Sequence, residues 1–499
     1  MLVVASGFLD RLLLTALLLR SWDVSTFEAW STCIALSSMV SLFELGLNLH
    51  FNNQLMIEME RGNRDAVREV YAAGNGLFLV SSIVGFAALV AVIFAWQPLG
   101  ESADDAVYGA AIVLCAANSA KIALCAVYSL YRANREYGRF AAIQGISEII
   151  RIAGVGVVVW LGASIVEASI ASAVATTGVA VLFVVFDTRR RYFPHGYPVQ
   201  LPNRGALRGI LASSSLYMAQ AVPVMLFISM PIIVLQKMVL APGAIATFVL
   251  VRTLSSVARA PLQSAGIVFG QEVGRRIAIQ DMQGARRVTE SSARLFAALS
   301  GLASGVLLAG GALLTRLWTG AESHFDAGLM LAAVTPMVLT PVAVLIHNVL
   351  VSHQAPLLPA VARGFQLVVT VVAFIGIGAL DAPLQMMSAL SIGEVFGFAP
   401  IAYFATAQLI PGLALRFHLR NLALALSTAA FAAVLTAALL GVVEPEGNLE
   451  LVGVFSLVAL LLIPAGFFAG VDRDGRRELV ERAAPFVRSH RLRGEDRRQ

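Results

Sequence analysis

Apolar stretches long enough to cross a bilayer as one helix follow one another along the chain. They lie near 1–19, 27–50, 70–96, 106–130, 140–161, 165–186, 209–235, 243–269, 293–317, 326–350, 357–380, 383–409, 421–441 and 450–470. A run of about 20 apolar residues spans the ~30 Å hydrocarbon layer. Within that layer no water satisfies backbone N–H and C=O groups, so a chain crosses only as helices or a closed barrel. The pattern predicts an all-α integral membrane protein with about fourteen transmembrane helices. Composition agrees: 58% of the 499 residues are hydrophobic and 13% charged, against about 25% charged in soluble domains.

The first stretch is expected to be a retained helix. No basic segment precedes it, and Asp10 and Arg11 interrupt the apolar core that a cleaved signal would need. Cys33, Cys115 and Cys125 fall inside apolar stretches without C-x-x-C spacing, so they read as packing residues. No metal site or cofactor is implied.

Basic residues crowd the loops after even-numbered stretches. Arg61, Arg64 and Arg68, then Arg132, Arg135 and Arg139, then Arg189, Arg190 and Arg191, then Arg275, Arg276, Arg286 and Arg287 all fall there. The opposite loops carry Arg20, Lys237 and Arg316 but many acids, among them Asp104, Asp105 and Glu450. The positive-inside rule then makes both termini cytoplasmic. Trp22, Trp30, Trp96, Trp160 and Trp318 map to the opposite boundary, where indole rings favour the headgroup level.

Two cytoplasmic segments look alike. Gln54–Glu69 and Arg276–Glu290 are both amphipathic, and each is expected to break at a glycine in Gly-Xaa-Arg, Gly62 and Gly284. Six stretches separate them, which suggests two parallel halves related by an axis along the membrane normal. The expected division is a six-helix bundle over 1–187, a basic linker over 188–208 and a second six-helix bundle over 209–411. Two further helices over 421–470 and an Arg-rich cytoplasmic tail over 471–499 complete it.

Charge inside the apolar stretches points to function. A basic side chain at mid-membrane costs at least ~3 kcal/mol, so it tends to face a wet cavity or an anionic partner. Arg11, Lys121, Arg151, Arg252, Arg259 and Arg363 are such residues. Arg252 and Arg259, seven apart, share a helical face; they suit an anionic ligand or an interhelical pair. Arg11 lies too deep for easy snorkelling, and Asp10 points about 100° away on an ideal helix. Glu148 and Arg151, at i and i+3, can neutralise each other or serve the lumen. Lys121 and Arg363 are expected to reach for the boundary. Glu394 suits ion coupling or a neutral helix–helix hydrogen bond. His347 and Asn348 read as packing. Pro223 and Pro231 should kink one helix, and Pro336 and Pro341 another.

Three stretches carry a family resemblance. Arg11-Leu-Leu-Leu through Arg20 precedes an aromatic-rich stretch ending in Glu44-Leu-Gly-Leu47. Tyr131-Arg-Ala-Asn-Arg-Glu-Tyr-Gly-Arg139 precedes Glu148-Ile-Ile-Arg151. Arg252-Thr-Leu-Ser-Ser-Val-Ala-Arg-Ala-Pro261 leads to Gly270-Gln-Glu-Val-Gly-Arg275. With the short outer loops, the chain resembles the Wzx-type polysaccharide flippases of the multidrug/oligosaccharidyl-lipid/polysaccharide (MOP) exporter superfamily. That resemblance implies an alternating-access transporter with a cationic lumen. It would move a polyprenyl-pyrophosphate-linked oligosaccharide to the outer leaflet, in association with glycosyltransferases and a polymerase. From their charge and place in the apolar stretches, Arg11, Arg151, Arg252 and Arg259 are the candidate headgroup ligands, and Asp10, Glu148 and Glu394 the candidate coupling or pairing acids. A drug/cation antiporter would use Asp10, though an Arg-rich lumen repels cations. A membrane polymerase or ligase would need larger outer loops. Nothing in the sequence points to nucleic acid.

Overall fold

The computed structural model describes residues 2–44, 46–100, 103–193, 197–202, 204–238, 240–320, 324–352, 357–378, 380–410, 413, 415–445 and 447–470. The expected tail over 471–499 lies outside them. Every element among the described residues is helical, with no strand. The helices are α1 (Leu2–Leu9), α2 (Thr15–Ser21), α3 (Val24–Ser38), α4 (Leu47–Glu60), α5 (Arg64–Trp96), α6 (Asp105–Ala123) and α7 (Cys125–Ala133). They continue as α8 (Tyr137–Trp160), α9 (Ile165–Val179), α10 (Phe186–Arg191), α11 (Arg204–Lys237), α12 (Ala244–Ala278), α13 (Met282–Thr319) and α14 (Ala327–Leu339). The last are α15 (Pro341–Ser352), α16 (Leu357–Gly376), α17 (Ala382–Ile392), α18 (Ala399–Leu409), α19 (Leu415–Val443) and α20 (Asn448–Gly470).

The described residues hold ten helical spans long and apolar enough to cross a membrane, or eleven when α14 and α15 count as one broken span. This is a multi-pass membrane architecture. The other three expected stretches coincide with helices interrupted along their length. A π turn at Asp10–Leu14 separates α1 from α2, and a 3-10 turn at Met39–Glu44 follows α3. A π turn at Ala180–Val185 separates α9 from α10. The expected count of fourteen treated each of these as one regular helix.

α14 and α15 meet at a 57° bend. Pro341 begins α15, and the ring of a proline cannot continue the preceding hydrogen-bond ladder. Many hydroxyls close onto their own helices, as where Ser31 bonds Phe27 O at 2.9 Å and Thr176 bonds Ser172 O at 2.7 Å. Such back-bonding hides polar groups that lipid cannot solvate.

The two similar segments are both helix–turn–helix, but the glycines are not equivalent. Gly62 sits in its turn at φ 70°, followed by the α5 N-cap Asn63, which accepts from Ala66 N at 3.1 Å. In the second segment the left-handed residue is Gln280, at φ 62°, and Asp281 is the cap, accepting from Gly284 N at 2.9 Å. Gly284 lies within α13. A left-handed residue followed by an Asx cap is the shared feature, and it corrects the break expected at Gly284.

Four of the five tryptophans lie at or near helix ends, but Trp30 is buried in α3, 5.6 Å from Trp22 in an edge-to-face contact. It serves packing rather than the expected boundary belt. On the same side as Trp22, the Asp23 carboxylate caps α3 and accepts from Ser25 and Thr26, which hold its pKa down at about 2.

The chain divides into two compact units. Unit 1 comprises the described residues up to Thr253 with Thr315–Leu329 and Pro359–Gly397. Its core holds Phe27, Cys33, Leu36, Tyr71, Phe78, Cys115 and Ile233. Unit 2 comprises Leu254–Leu314, Met330–Leu358 and the described residues from Phe398 onward. Small residues let its helices approach closely. A Cβ on Gly301 would lie 2.2 Å from Ala425 O, and one on Gly305 2.2 Å from Ala429 O, so this Gly-xxx-Gly stripe seats α13 directly on α19. Gly266 and Gly270 do the same for α12 against Asn348 of α15.

Candidate functional site

Five of the charged residues that the sequence places inside apolar stretches, Asp10, Arg11, Lys121, Glu148 and Arg151, line one cavity of about 570 Å³ in unit 1. α1, α2 and the π turn between them contribute Asp10, Arg11 and Thr15; α3 contributes Ser31, Ser37 and Ser38. Asn118 and Lys121 come from α6, Glu148 and Arg151 from α8, and Ser172 and Thr176 from α9. The spacings i, i+3 and i, i+4 put each pair on one helical face. The π turn, an i→i+5 arrangement often found at functional sites, carries Asp10 and Arg11 together to the lining.

Arg151 is the hub. Its Nη2 donates to Asp10 Oδ1 at 2.6 Å and its Nε to Glu148 Oε2 at 2.7 Å. Its side chain is only 12% exposed. A guanidinium offers five donors in a fixed fork, so one arginine can hold two carboxylates. Lys121 Nζ stands 4.0 Å from Glu148 Oε1. The expectation that Lys121 reaches for the boundary is thereby corrected: it lines the cavity.

Arg11 differs from its neighbours. It lines the same cavity, yet among the described residues no side chain or carbonyl bonds its guanidinium. Three cations share the lining with two carboxylates, and both carboxylates are held by Arg151. The surplus positive charge therefore resides at Arg11. Of the lining hydroxyls, Ser31, Ser37, Ser38 and Thr176 donate to carbonyls of their own helices, so they offer a ligand acceptor oxygens.

The other sequence candidates lie outside this lining. Arg252 on α12 donates to Ile228 O at 2.7 Å and to Phe227 O at 3.0 Å. Phe227 is the residue four before Pro231 in α11, so its carbonyl is the one that proline deprives of a helical N–H. Arg252 thus replaces the missing donor at the proline. Sequence reading supplied both residues but not their connection, because a contact between α11 and α12 leaves no periodic signal. Pro223 lies about two turns earlier in α11. Arg259, half-buried, belongs to the part of α12 in unit 2.

Glu394 is buried in a third π turn, Gly393–Phe398. Gly393 and Gly397 bring that turn against α16, where added Cβ atoms would meet Thr370 Oγ1 at 1.9 Å and Gln366 Cα at 2.6 Å. Arg363 Nη1 donates to Gln366 Oε1 at 2.7 Å, a bond within α16. His347 packs edge-on against Phe398, with centroids 5.3 Å apart.

No family model matches the sequence, and no curated protein matches it by sequence. Solved structures do match. An inward-facing multidrug resistance MATE family transporter of the MOP superfamily superposes with a TM-score of 0.61 at 12% identity, covering 85% of this chain and 95% of that one. Lipid II flippase MurJ, in an inward closed conformation, gives 0.63 at 12% identity over 91% and 98%. The Vibrio cholerae MATE transporter VcmN in its bent form gives 0.54 at 15% identity over 84% and 96%. The chain shares their fold.

Proposed function

We propose that this chain is an alternating-access transporter that flips a polyprenyl-pyrophosphate-linked oligosaccharide from the cytoplasmic to the outer leaflet for surface polysaccharide synthesis. The observation that carries the reading is Arg11, an uncompensated guanidinium in a hydroxyl-lined intramembrane cavity. A pyrophosphate pairs bidentately with guanidinium, and the low dielectric strengthens that contact. In this reading Arg11 is the headgroup ligand of its cavity and Arg151 a charge hub that orders Asp10 and Glu148, while Arg259, in the other unit, is a separate candidate for an anionic contact. Arg252 acts by bonding the carbonyl that Pro231 leaves without a helical donor, and Pro223 with Pro231 is the candidate for gating within α11. Glu394 is the remaining candidate for coupling. Both termini face the cytoplasm of a bacterial inner membrane, and glycosyltransferases and a polymerase supply and consume the substrate.

An antiporter of cationic drugs is the second reading, favoured by Asp10 in the cavity. Its carboxylate is held by Arg151 at 2.6 Å, which weakens it as a cation site. An enzymatic role finds little room: the connections over 97–104, 161–164, 238–243, 320–326, 377–381 and 444–447 are all short.

The test is surface polysaccharide in cells that depend on this gene. Arg11→Ala should abolish it at unchanged membrane abundance, while Arg11→Lys retains part, because charge survives without the bidentate fork. Full export by Arg11→Ala would reject the headgroup role.

A further inference from the structure

A second cavity in unit 1, of about 900 Å³, opens where α5 begins and α7 and α10 end. It shares no lining residue with the cavity of Arg11. Its charged lining consists of Arg64, Arg68, Arg135 and Arg191 against a single acid, Glu60.

The four arginines fall into two kinds. Arg135 bonds Glu60 at 2.7 Å, and Arg191 stands 3.2 Å from Asp187 and 3.6 Å from Glu136. Those two are held in place as walls. Arg64 and Arg68, one turn apart on α5, bond no side chain or carbonyl among the described residues. Their register is set by the Gly62 turn and the Asn63 cap, which fix where α5 starts. The acids on the same turns, Asp65 and Glu69, are outside this lining, and Glu69 faces a different cavity. The start of a 33-residue helix adds the positive end of its dipole to the same place.

We propose that this cavity binds a phosphate-bearing group through Arg64 and Arg68. Guanidinium forks match phosphate oxygens two at a time, and two forks a helical turn apart grip one such group from two directions. The cavity is large enough for a whole headgroup, and Tyr192 and Phe193 supply an apolar wall for the part that carries no charge. Either an anionic lipid headgroup or a water-soluble phosphate ester presents this chemistry.

The full chain carrying Arg11→Ala, so that the other cavity lacks its pyrophosphate ligand, is titrated in phosphatidylcholine nanodiscs with inorganic pyrophosphate by calorimetry. The variants below are titrated in the same background. In parallel, native mass spectrometry counts phosphatidylglycerol retained by the detergent-purified chain. Binding of either probe is expected, weakened at least about tenfold in Arg64→Gln/Arg68→Gln. Retained lipid without pyrophosphate binding assigns a headgroup; pyrophosphate binding assigns a soluble ester. Both residues are exposed, so the variant should fold, and its thermal unfolding checks this. Arg286→Gln/Arg287→Gln removes equal charge from residues outside this lining and should leave binding unchanged. Failure of both probes to bind, unchanged binding in the Arg64/Arg68 variant, or equal loss in the control would overturn the proposal.

Discussion

Arg151 holds two carboxylates at once, and that arrangement determines what each charge in the cavity can do. With Asp10 and Glu148 both engaged, neither is free to neutralise Arg11, and the cavity stays positive where a ligand would enter. Removing the hub leaves two carboxylates facing each other in a low-dielectric site. Breaking a fully buried pair by deleting one partner costs roughly 3–5 kcal/mol, and solvent screening at Asp10 and Glu148, each over a third exposed, lowers the cost here. Arg151→Ala should therefore lower the unfolding midpoint in detergent, and adding Asp10→Asn and Glu148→Gln should recover much of the loss. A small effect of Arg151→Ala alone would show that the cavity is too wet for the pairing to matter. Arg11→Ala, by contrast, removes an unpaired charge and should leave stability nearly unchanged.

At the scale of elements, irregular helix geometry positions the chemistry. Asp10 and Glu394 both sit in π turns, and Arg252 completes the hydrogen bonding that Pro231 interrupts. The proline contact predicts a specific coupling. Arg252→Ala should cost about 1–3 kcal/mol by leaving Phe227 O unsatisfied. In a Pro231→Ala background, where a helical N–H returns, the same substitution should cost much less. Additive losses in thermal unfolding would contradict the role. The Gly-xxx-Gly stripe makes a second prediction at this scale. Gly301→Ala or Gly305→Ala should separate α13 from α19 at a cost of about 1–3 kcal/mol, the range for overpacking. Unfolding by each single variant measures it, and native stability in both would show that α19 yields without strain.

These elements also show which parts of the fold were legible in sequence. Hydropathy located the helical stretches because lipid enforces a simple rule on long apolar runs. Intramembrane charge identified Asp10, Arg11, Glu148 and Arg151 because such residues are costly wherever they lie. Their convergence was not legible, since Asp10 meets Arg151 across 141 positions of chain. Helix interruptions were equally hidden: a π turn changes hydrogen bonding without changing hydropathy. The glycine stripes were available in the sequence as Gly-xxx-Gly spacing, but only the opposing backbone gives that spacing meaning.

At the scale of the whole molecule, the fold is shared with MATE transporters and with lipid II flippase MurJ at 12–15% identity, so the fold alone leaves the cargo open. The charge of the cavity distinguishes the candidates. A drug/cation carrier needs an available carboxylate, whereas a carrier of pyrophosphate-linked lipid needs an available cation. Reconstitution into proteoliposomes tests this directly, by following a fluorescent polyprenyl-pyrophosphate oligosaccharide between leaflets beside a cationic dye in the lumen. The account predicts protein-dependent flipping of the lipid, its loss in Arg11→Ala and no dye transport. Dye transport with no lipid flipping would contradict it.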